Sequence, residues 1–305
     1  MTTRSHLPLP EPGAPAKLSL TDFMGFKTEG RKAVCVTAYD APSARLADQA
    51  GVDLVLVGDS AAMVMLGLDS TVPATMEEML VLCRAVARGA RRPIVIGDLP
   101  FGSFQVSNAE AVRNAIRLVK DAGVDGVKLE GGGAMVDRAR AIVDAGIPVM
   151  GHLGLTPQSA TMLGGFRAQG RTAARARQLL VDARALEAAG CFSIVLEAIP
   201  APVAARVSEV ITIPTIGIGA GAACDGQVLV WHDLLGLYEG RVARFVKRYA
   251  DLGPEIRRAL EAYAADVRSG AFPEERHTYA MPPDELERFV GGATVGLASA
   301  LDDWG

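Results

Sequence analysis

The sequence has few cysteines and no long apolar run. Its 305 residues include four cysteines, none in a C-x-x-C pair, and these are Cys35, Cys83, Cys191 and Cys224. Disulfide frameworks and structural zinc sites group their cysteines at short spacings, so reduced and packed thiols are expected. A run of about 18 uncharged apolar residues, which would predict a membrane-spanning helix, is absent. Residues 1–17 also lack the apolar core of a signal peptide, so a cytoplasmic protein is expected.

An excess of one charge is absent as well. Lys and Arg number 31 and Asp and Glu number 35, for a net charge of −4, and both signs are spread along the chain. Without a basic stripe or interleaved basic and aromatic residues, nucleic acid is not an expected partner. The first 16 residues contain four prolines and little to bury, so residues 1–16 are predicted to form a disordered tail.

Short runs rich in Val, Ile and Leu recur through the rest of the chain. Eight runs are present, at 33–39, 54–60, 93–99, 126–132, 148–154, 192–198, 215–221 and 227–232. Most gaps between them hold Ala-, Leu- and Arg-rich helical patterns, as at 107–123, which opens on a capping Ser107, and at 171–190. Apolar strands that alternate with helices indicate a parallel sheet buried on both faces. The count predicts a (β/α)₈ TIM barrel as the catalytic domain, residues 17–279.

Shorter segments flank this barrel. Thr21 is a candidate cap for a short N-terminal helix that ends near Gly30. Residues 280–305 form a C-terminal extension, in which a helix after Pro283 is predicted to dock on its own subunit or on a neighbour. The seventh connection is too short for a helix, so that unit is irregular or its helix follows the eighth strand.

The segment "GIGAGA" at 217–222 formally fits a dinucleotide-binding fingerprint. Its glycines, however, lie within an apolar run and do not open a helix after it, and another strand-like run follows directly. Tight backbone packing is therefore favoured over a cofactor loop.

Ionisable residues inside the predicted strands cluster near the carboxyl end of each run. They are Asp59, Asp98, Lys128, Glu130, His152 and Glu197, with His232 set apart at the end of the eighth run. Lys128 and Glu130 are two apart in one strand and point to the same face. The carboxyl ends of parallel barrel strands surround one mouth, where barrel enzymes have their active sites. These side chains are therefore predicted to converge on one pocket.

Four carboxylates that face one lysine leave an excess of negative charge, which a divalent cation would neutralise. The ligands on offer are oxygens, which favours Mg²⁺ over zinc. Asp59 and Asp98 are the predicted ligands, with Glu130 as a third ligand, directly or through water. The alternative is that each aspartate caps the helix after its strand and that Lys128 and Glu130 form an ion pair at the rim.

Several collinear motifs resemble one known family. They are "VTAYD" at 36–40, "VGDS" at 57–60, "DSTVPAT" at 69–75, "DLPFGSF" at 98–104, "VKLEGG" at 127–132, "GHLGLTPQS" at 151–159, "GGFRAQGR" at 164–171, "VLEAIP" at 195–200, "IGIGAG" at 216–221 and "DGQVLVWHDLLG" at 225–236. In this order, from about Leu18 to Tyr279, the chain resembles the 3-methyl-2-oxobutanoate hydroxymethyltransferase family, also called ketopantoate hydroxymethyltransferases.

The resemblance implies a Mg²⁺-dependent barrel enzyme of pantothenate and coenzyme A biosynthesis. Such an enzyme transfers a one-carbon unit from 5,10-methylenetetrahydrofolate to 3-methyl-2-oxobutanoate and releases 2-dehydropantoate and tetrahydrofolate. By the family pattern, Asp59 and Asp98 hold the metal with Glu130 nearby, and Ser60 and Lys128 bind the oxo acid beside these aspartates. Family members are usually homodecamers, which implies the same assembly here.

Glu197 and His152 are the remaining two residues of the predicted pocket. Glu197 matches the family's proposed base and would remove the C3 proton of the oxo acid while Mg²⁺ and Lys128 stabilise the enolate. For His152 three roles stay open, namely proton carrier, folate contact and pocket wall.

Other functions remain possible on the sequence alone. A Mg²⁺-dependent lyase or mutase of the isocitrate lyase and phosphoenolpyruvate mutase group would typically carry a catalytic cysteine in a mobile loop, and no cysteine here occupies the rim of the third or fourth predicted strand. A Schiff-base aldolase would need a neutral Lys128, which the nearby Glu130 opposes. A non-catalytic metabolite-binding barrel would tolerate replacement of the acidic cluster.

Overall fold

The strands of the computed structural model form the predicted barrel. The model describes residues 16–237, 240 and 242–292, so residues 1–15 of the predicted tail and 293–305 of the predicted extension lie outside the described part. The strands are β1 (Ala33–Thr37), β2 (Leu54–Val57), β3 (Ile94–Asp98), β4 (Gly126–Glu130), β5 (Val149–Gly154), β6 (Ser193–Glu197), β7 (Thr215–Ile218) and β8 (Gly226–Leu229). They pair in parallel in chain order, and β8 pairs back to β1, which closes the sheet. The (β/α)₈ fold class is confirmed.

Helices follow most strands. They are α1 (Leu20–Glu29), α2 (Ala41–Gln49), α3 (Ala61–Val64), α4 (Met76–Gly89), α5 (Asn108–Arg117), α6 (Met135–Asp144), α7 (Ala173–Ala188), α8 (Ala201–Val210), α9 (Trp231–Leu235), α10 (Leu252–Ser269) and α11 (Pro283–Gly292). A π-helical turn at Leu118–Ala122 extends α5, and short 3₁₀ turns lie at Pro157–Ser159 and Glu275–His277. Within the described residues, β7 runs to β8 without a helix and α9 comes after β8, as the short seventh connection predicts.

Two predicted boundaries are wrong. The N-terminal helix is capped by Ser19, not by Thr21, because the Asp22 amide donates to Ser19 Oγ at 3.1 Å and the Asp22 carboxylate bonds back. His232 lies in α9, because β8 already ends at Leu229.

The α1 helix closes the amino-terminal end of the barrel. Its buried Phe23 and Phe26 join the inward-facing side chains of the strands in one apolar cluster, and Phe23 packs edge-on against Phe192 just before β6. A second cluster fills the layer between the strands and the surrounding helices. The barrel is therefore filled at its amino-terminal end, and open space remains at the carboxyl ends of the strands.

The "GIGAGA" segment is tightly packed. A Cβ on Gly217 would lie 3.0 Å from Cys224 Sγ, and a Cβ on Gly221 would lie 2.6 Å from the Cβ of Ala201. The first glycine is within β7 and no helix follows before β8, which agrees with a packing role.

Contacts divide the chain into two compact units, residues 1–251 and 252–305. The second unit contains α10 and α11, and α10 exposes an apolar stripe of Ile256, Leu260, Tyr263 and Val267. The predicted catalytic-domain limits of 17–279 stay a prediction.

Across residues 16–237, 240 and 242–292, none of the helices has the length and apolar character needed to cross a membrane.

Candidate active site

The predicted charged side chains lie together at the carboxyl ends of the strands. They surround a cavity of about 210 Å³ whose lining includes Asp59, Ser60, Asp98, Lys128, Glu130, His152 and Glu197. Strand register produces part of this grouping, since Asp98 lies opposite Lys128 and Glu130 lies opposite His152. Asp59 and Ser60 differ from the prediction in one respect, because β2 ends at Val57 and both residues lie in the turn before α3.

Lys128 is the cation at the centre of this cavity. Its Nζ lies 2.7 Å from Asp98 Oδ1 and 3.5 Å from Glu130 Oε1, and the side chain is almost fully buried. Burial alone would lower the pKa of the ammonium, but the charges of Asp98, Glu130 and Asp59 outweigh burial and raise the pKa above its usual range. The neighbouring carboxylates therefore favour the charged form of Lys128.

Asp59, Asp98 and Glu130 are three buried carboxyls around the single charge of Lys128. The Asp59 backbone amide donates to Asp98 Oδ2 at 3.2 Å, so the two residues are held side by side. Burial raises the pKa of both carboxyls, and at Asp59 the neighbouring charges of Asp98 and Glu130 raise it further. The cavity therefore favours an additional cation.

This pocket fits Mg²⁺ as a cofactor. Among the residues that the structure describes, no group of three or more His, Cys, Asp or Glu side chains forms a ready-made metal cage. Mg²⁺ does not require such a cage, because it typically binds one or two carboxylates and completes its shell with water and substrate oxygens. Two adjacent buried aspartates with excess negative charge next to an open cavity match that requirement.

Gln158 is an organising residue that the sequence analysis did not select. Its Nε2 donates to Asp59 Oδ2 and to the carbonyl of Leu99, both at 2.9 Å, and its backbone amide donates to Glu130 Oε2 at 3.0 Å. One buried residue thus orients two carboxylates of the pocket, Asp59 through its side-chain amide and Glu130 through its backbone amide. A search limited to ionisable residues overlooks it, although it lies within the "GHLGLTPQS" motif.

Thr71 was also overlooked. It lines the cavity and is buried, and its hydroxyl has no hydrogen-bond partner among the described residues. A buried hydroxyl without a partner is costly, so it is available to a bound ligand.

His152 lies between two carboxylates. Its Nδ1 is 3.3 Å from Glu130 Oε1 and its Nε2 is 3.3 Å from Glu197 Oε2, although neither contact is aligned as a hydrogen bond. Burial and the Lys128 charge oppose protonation, but the two carboxylates outweigh them and raise the pKa to about 9. The imidazole thus links the acidic cluster to Glu197.

Glu197 ends β6 at the edge of the cavity. Its backbone carbonyl accepts a hydrogen bond from the Leu155 amide at 2.9 Å, and a Cβ on Gly154 would collide with that carbonyl. The next residue, Ala198, has a φ of +46°, which lies in the left-handed region that non-glycine residues seldom adopt. The close approach and the sharp turn hold Glu197 at the rim, where its side chain is 15% exposed.

A larger outer cavity adjoins this pocket. It has a volume of about 660 Å³ and shares Met63, Phe166, Glu197, Ala243 and Phe245 with the inner cavity. Arg167 and Arg244 contribute positive charge to its lining. Glu197 therefore lines both the small acidic inner cavity and the larger outer cavity.

His232 does not line either cavity in the described structure. Its ring lies 5.6 Å from that of Tyr39, and burial lowers its pKa.

Comparisons with known proteins agree on one family. The family model for ketopantoate hydroxymethyltransferase matches residues 17–275. A 3-methyl-2-oxobutanoate hydroxymethyltransferase from Heliobacterium modesticaldum is 52% identical over 271 residues, which cover 89% of this chain and 98% of that protein.

Solved structures with the same fold are more distant in sequence. A phosphonopyruvate hydrolase in complex with oxalate and Mg²⁺ aligns with a TM-score of 0.55 at 12% identity, over 92% of this chain and 98% of that one. A 2,3-dimethylmalate lyase of the phosphoenolpyruvate mutase and isocitrate lyase superfamily aligns with a TM-score of 0.54 at 18% identity, over 93% and 96%. At these identities the likeness shows a shared barrel fold.

Proposed function

The chain belongs to the ketopantoate hydroxymethyltransferase family, and on that premise we propose how its barrel mouth carries out hydroxymethyl transfer. The enzyme transfers a hydroxymethyl group to 3-methyl-2-oxobutanoate in the first step of pantothenate biosynthesis. The observation that carries the proposed mechanism is the buried acidic pocket around Lys128, with Glu197 at its rim.

The oxo acid binds in the inner cavity. Lys128, held charged by Asp98 and Glu130, and the hydroxyl of Ser60 bind its oxygens beside Asp59 and Asp98. Asp59 and Asp98 would hold Mg²⁺, with Glu130 in support. When bound there, Mg²⁺ acts as a Lewis acid on the keto group and acidifies the hydrogen on C3 of the substrate.

Glu197 is the general base of the proposed reaction. It removes the proton from C3, and the negative charge that develops on the keto oxygen faces Lys128. C3 forms a carbon–carbon bond to the methylene carbon of 5,10-methylenetetrahydrofolate, and both bonds from that carbon to the folate nitrogens break. A water molecule supplies the hydroxyl oxygen, and the C3 proton and one water proton end on the two nitrogens of the released tetrahydrofolate. The position of His152 between Glu197 and Glu130 favours the role of proton carrier among the three roles open for it.

The folate co-substrate approaches from the outer cavity. The inner chamber of about 210 Å³ suits a small oxo acid, whereas a folate needs the larger space of about 660 Å³ on the other side of Glu197. Arg167 and Arg244 offer charges complementary to folate carboxylates.

Two alternatives fit the structure less well. A Schiff-base aldolase needs a neutral amine, but the carboxylates around Lys128 keep it protonated. A lyase with a cysteine at the rim is disfavoured because the cysteines, Cys35, Cys83, Cys191 and Cys224, are buried and none is among the residues that line either cavity.

Proton exchange at C3 tests the base and the metal together. With 3-methyl-2-oxobutanoate and Mg²⁺ in D₂O, without folate, NMR should show metal-dependent loss of the C3 proton signal. Glu197→Gln should slow this exchange by about 10²- to 10⁴-fold, the usual contribution of a general base. Glu209→Gln, which changes an exposed glutamate of α8, is the matched control and should exchange at the wild-type rate.

Two results would contradict the proposal. Exchange that survives removal of the metal with a chelator would favour the Schiff-base route through Lys128. Failure of the wild-type protein to exchange or to form product when folate is supplied would rule out the proposed substrate and favour the lyase or the binding-only barrel.

Assembly and location remain proposals. We propose the homodecamer implied by the family resemblance and a cytoplasmic enzyme. Light scattering on the purified protein measures the mass of the assembly and so tests the homodecamer.

A further inference from the structure

A chain of hydrogen bonds lies directly behind Ser60. The backbone amide of Trp231 donates to Thr37 Oγ1 at 2.9 Å, and Thr37 Oγ1 donates to the Tyr39 hydroxyl at 2.9 Å. The Tyr39 hydroxyl in turn lies 2.8 Å from Ser60 Oγ. The chain thus leads from the backbone at the start of α9 to a hydroxyl that lines the inner cavity.

The hydrogen bonds of this chain have a favoured direction, from the Trp231 amide to Ser60. A backbone amide can only donate, so Thr37 Oγ1 accepts from Trp231, and the geometry of the next contact makes the Thr37 hydroxyl the donor to Tyr39. Tyr39 already accepts one bond, and its single proton has Ser60 Oγ as its remaining partner. If Ser60 donated to Tyr39 instead, the Tyr39 proton would have no acceptor among the described residues. That arrangement is costly because Tyr39 is only 2% exposed.

Ser60 is consequently left with a free proton. It accepts from Tyr39, and its side chain makes no capping bond at the start of α3 although it occupies the cap position. Among residues 16–237, 240 and 242–292, its hydroxyl hydrogen has no acceptor, so it is available to a bound ligand.

We propose that Thr37 and Tyr39 are positioning residues that fix Ser60 as a hydrogen-bond donor to an anionic oxygen of the oxo acid. The inference rests on the proposed function, since it concerns the binding of that same substrate. A serine hydroxyl in water can both donate and accept. The bond from Tyr39 occupies one of the two acceptor positions of Ser60 Oγ and leaves the Ser60 proton for the ligand, so the pocket favours ligands that present an acceptor, such as an ionised carboxylate, over neutral amides that present a donor.

The surroundings keep this relay in place. Burial raises the pKa of the Tyr39 phenol, and the nearby charges of Asp233 and Asp59 add to the increase. The phenol therefore stays protonated and can donate its hydrogen bond to Ser60. The His232 ring packs against the Tyr39 ring. Gly58 gives Ser60 room, since a Cβ at Gly58 would lie 2.8 Å from Ser60 Oγ.

A pair of substitutions at Thr37 tests the relay. Thr37→Val keeps the shape of the side chain but removes the hydroxyl, and it should raise KM for the oxo acid about tenfold with a smaller effect on kcat and on KM for folate, in line with the loss of a hydrogen bond to a charged group. Thr37→Ser retains the hydroxyl and should restore most of the affinity. A purely structural role for Thr37 would not separate the two substrates in this way.

A double substitution tests whether the effect passes through Ser60. Ser60→Ala alone should weaken oxo acid binding at least as much as Thr37→Val, and the double variant should be no weaker than Ser60→Ala, because the relay acts only through that hydroxyl. Tyr39→Phe interrupts the chain at a second point and should also raise KM for the oxo acid about tenfold. It provides the test if Thr37→Val does not fold.

The outcomes separate this inference from the proposed function. If the wild-type protein is active and both Thr37→Val and Tyr39→Phe keep the wild-type KM for the oxo acid, the relay is overturned while the proposed function stands. Effects of Thr37→Val and Ser60→Ala that multiply in the double variant would also overturn it. A wild-type protein that does not bind the oxo acid would overturn both.

Discussion

At the scale of single residues, the acidic pocket is expected to destabilise the metal-free protein. Asp59 is 4% exposed and is faced by the charges of Asp98 and Glu130, which the charge of Lys128 only partly offsets. Burial and these charges raise its pKa above that of the unfolded chain. Functional sites often carry such a cost in stability, which a bound ligand offsets.

Asp59→Asn is therefore expected to stabilise the metal-free protein at neutral pH. Because the folded pKa of Asp59 lies above its unfolded value of 3.8, its favourable contribution is complete below that value and is lost as pH rises through the folded pKa. The neutral amide avoids this loss and should increase the free energy of unfolding by about 0.5–2 kcal/mol. Thermal unfolding with and without Mg²⁺ measures the effect.

The same experiment tests the metal site. Mg²⁺ should raise the Tm of the wild-type protein at neutral pH and should no longer do so in Asp59→Asn. Asp144→Asn, which changes an exposed carboxylate in the last turn of α6, is the control and should respond to Mg²⁺ as the wild type does. An Asp59→Asn variant that still gains full stabilisation would exclude Asp59 as a ligand.

At the scale of elements, short strands and close helix packing determine where the side chains of the mouth lie. β2 has four residues, so Asp59 and Ser60 fall in the following turn and face the cavity from a loop. In the outer layer, Gly89 allows α4 to approach α2, since a Cβ at Gly89 would collide with the Ala41 carbonyl and lie 2.8 Å from the Ala44 side chain. The α2 helix follows directly from β1, which carries Thr37, so this packing supports the same part of the barrel.

Two glycine-to-alanine changes in helices should have opposite effects. Gly89→Ala should lower the free energy of unfolding by about 1–3 kcal/mol because it overpacks the contact between α2 and α4. Gly25→Ala in α1 has no such clash, as its nearest atom would be Glu29 Oε1 at 3.5 Å. That change should stabilise the protein by about 0.5–1 kcal/mol through reduced backbone entropy of the unfolded chain. Urea unfolding of both variants distinguishes them, and equal shifts would contradict the packing argument.

At the scale of the whole molecule, the closed sheet separates two apolar layers, and cysteines are found in both. Cys35 belongs to the cluster inside the barrel, whereas Cys83, Cys191 and Cys224 lie between the strands and the helices. All are free and buried, and burial raises the pKa of each thiol, that of Cys191 to about 12. Reduced and packed thiols are thus what the structure contains, as the sequence predicts.

Thiol labelling should therefore report the integrity of the whole barrel. In native protein a thiol-reactive dye should label none of the four cysteines of the chain on the timescale of its reaction with a free thiol, because reaction requires both exposure and ionisation. In denaturant all should react together. A cysteine that reacts rapidly in the native protein would show that one layer opens without the other.

The sequence by itself determined the order of the elements and the side of the barrel on which chemistry occurs. Runs of Val, Ile and Leu that alternate with helices specify parallel strands, and polar residues at the end of each run, such as Asp98, Lys128 and Glu130, must then meet at one mouth. Both inferences depend on local periodicity and on chain direction, which can be read without coordinates. The ten family motifs added the reaction and candidate roles.

Only the tertiary structure decided which atoms meet. Gln158 is 99 residues from Asp59 in the chain, and Thr37 is 194 residues from the Trp231 amide that orients it. These neutral side chains have no periodic signature, and their partners depend on strand register and on loop paths that form when the sheet closes. Likewise, β8 ends before His232, which places that residue in α9 instead of in a strand. A contact between distant polar groups depends on three-dimensional position, which local sequence patterns do not encode.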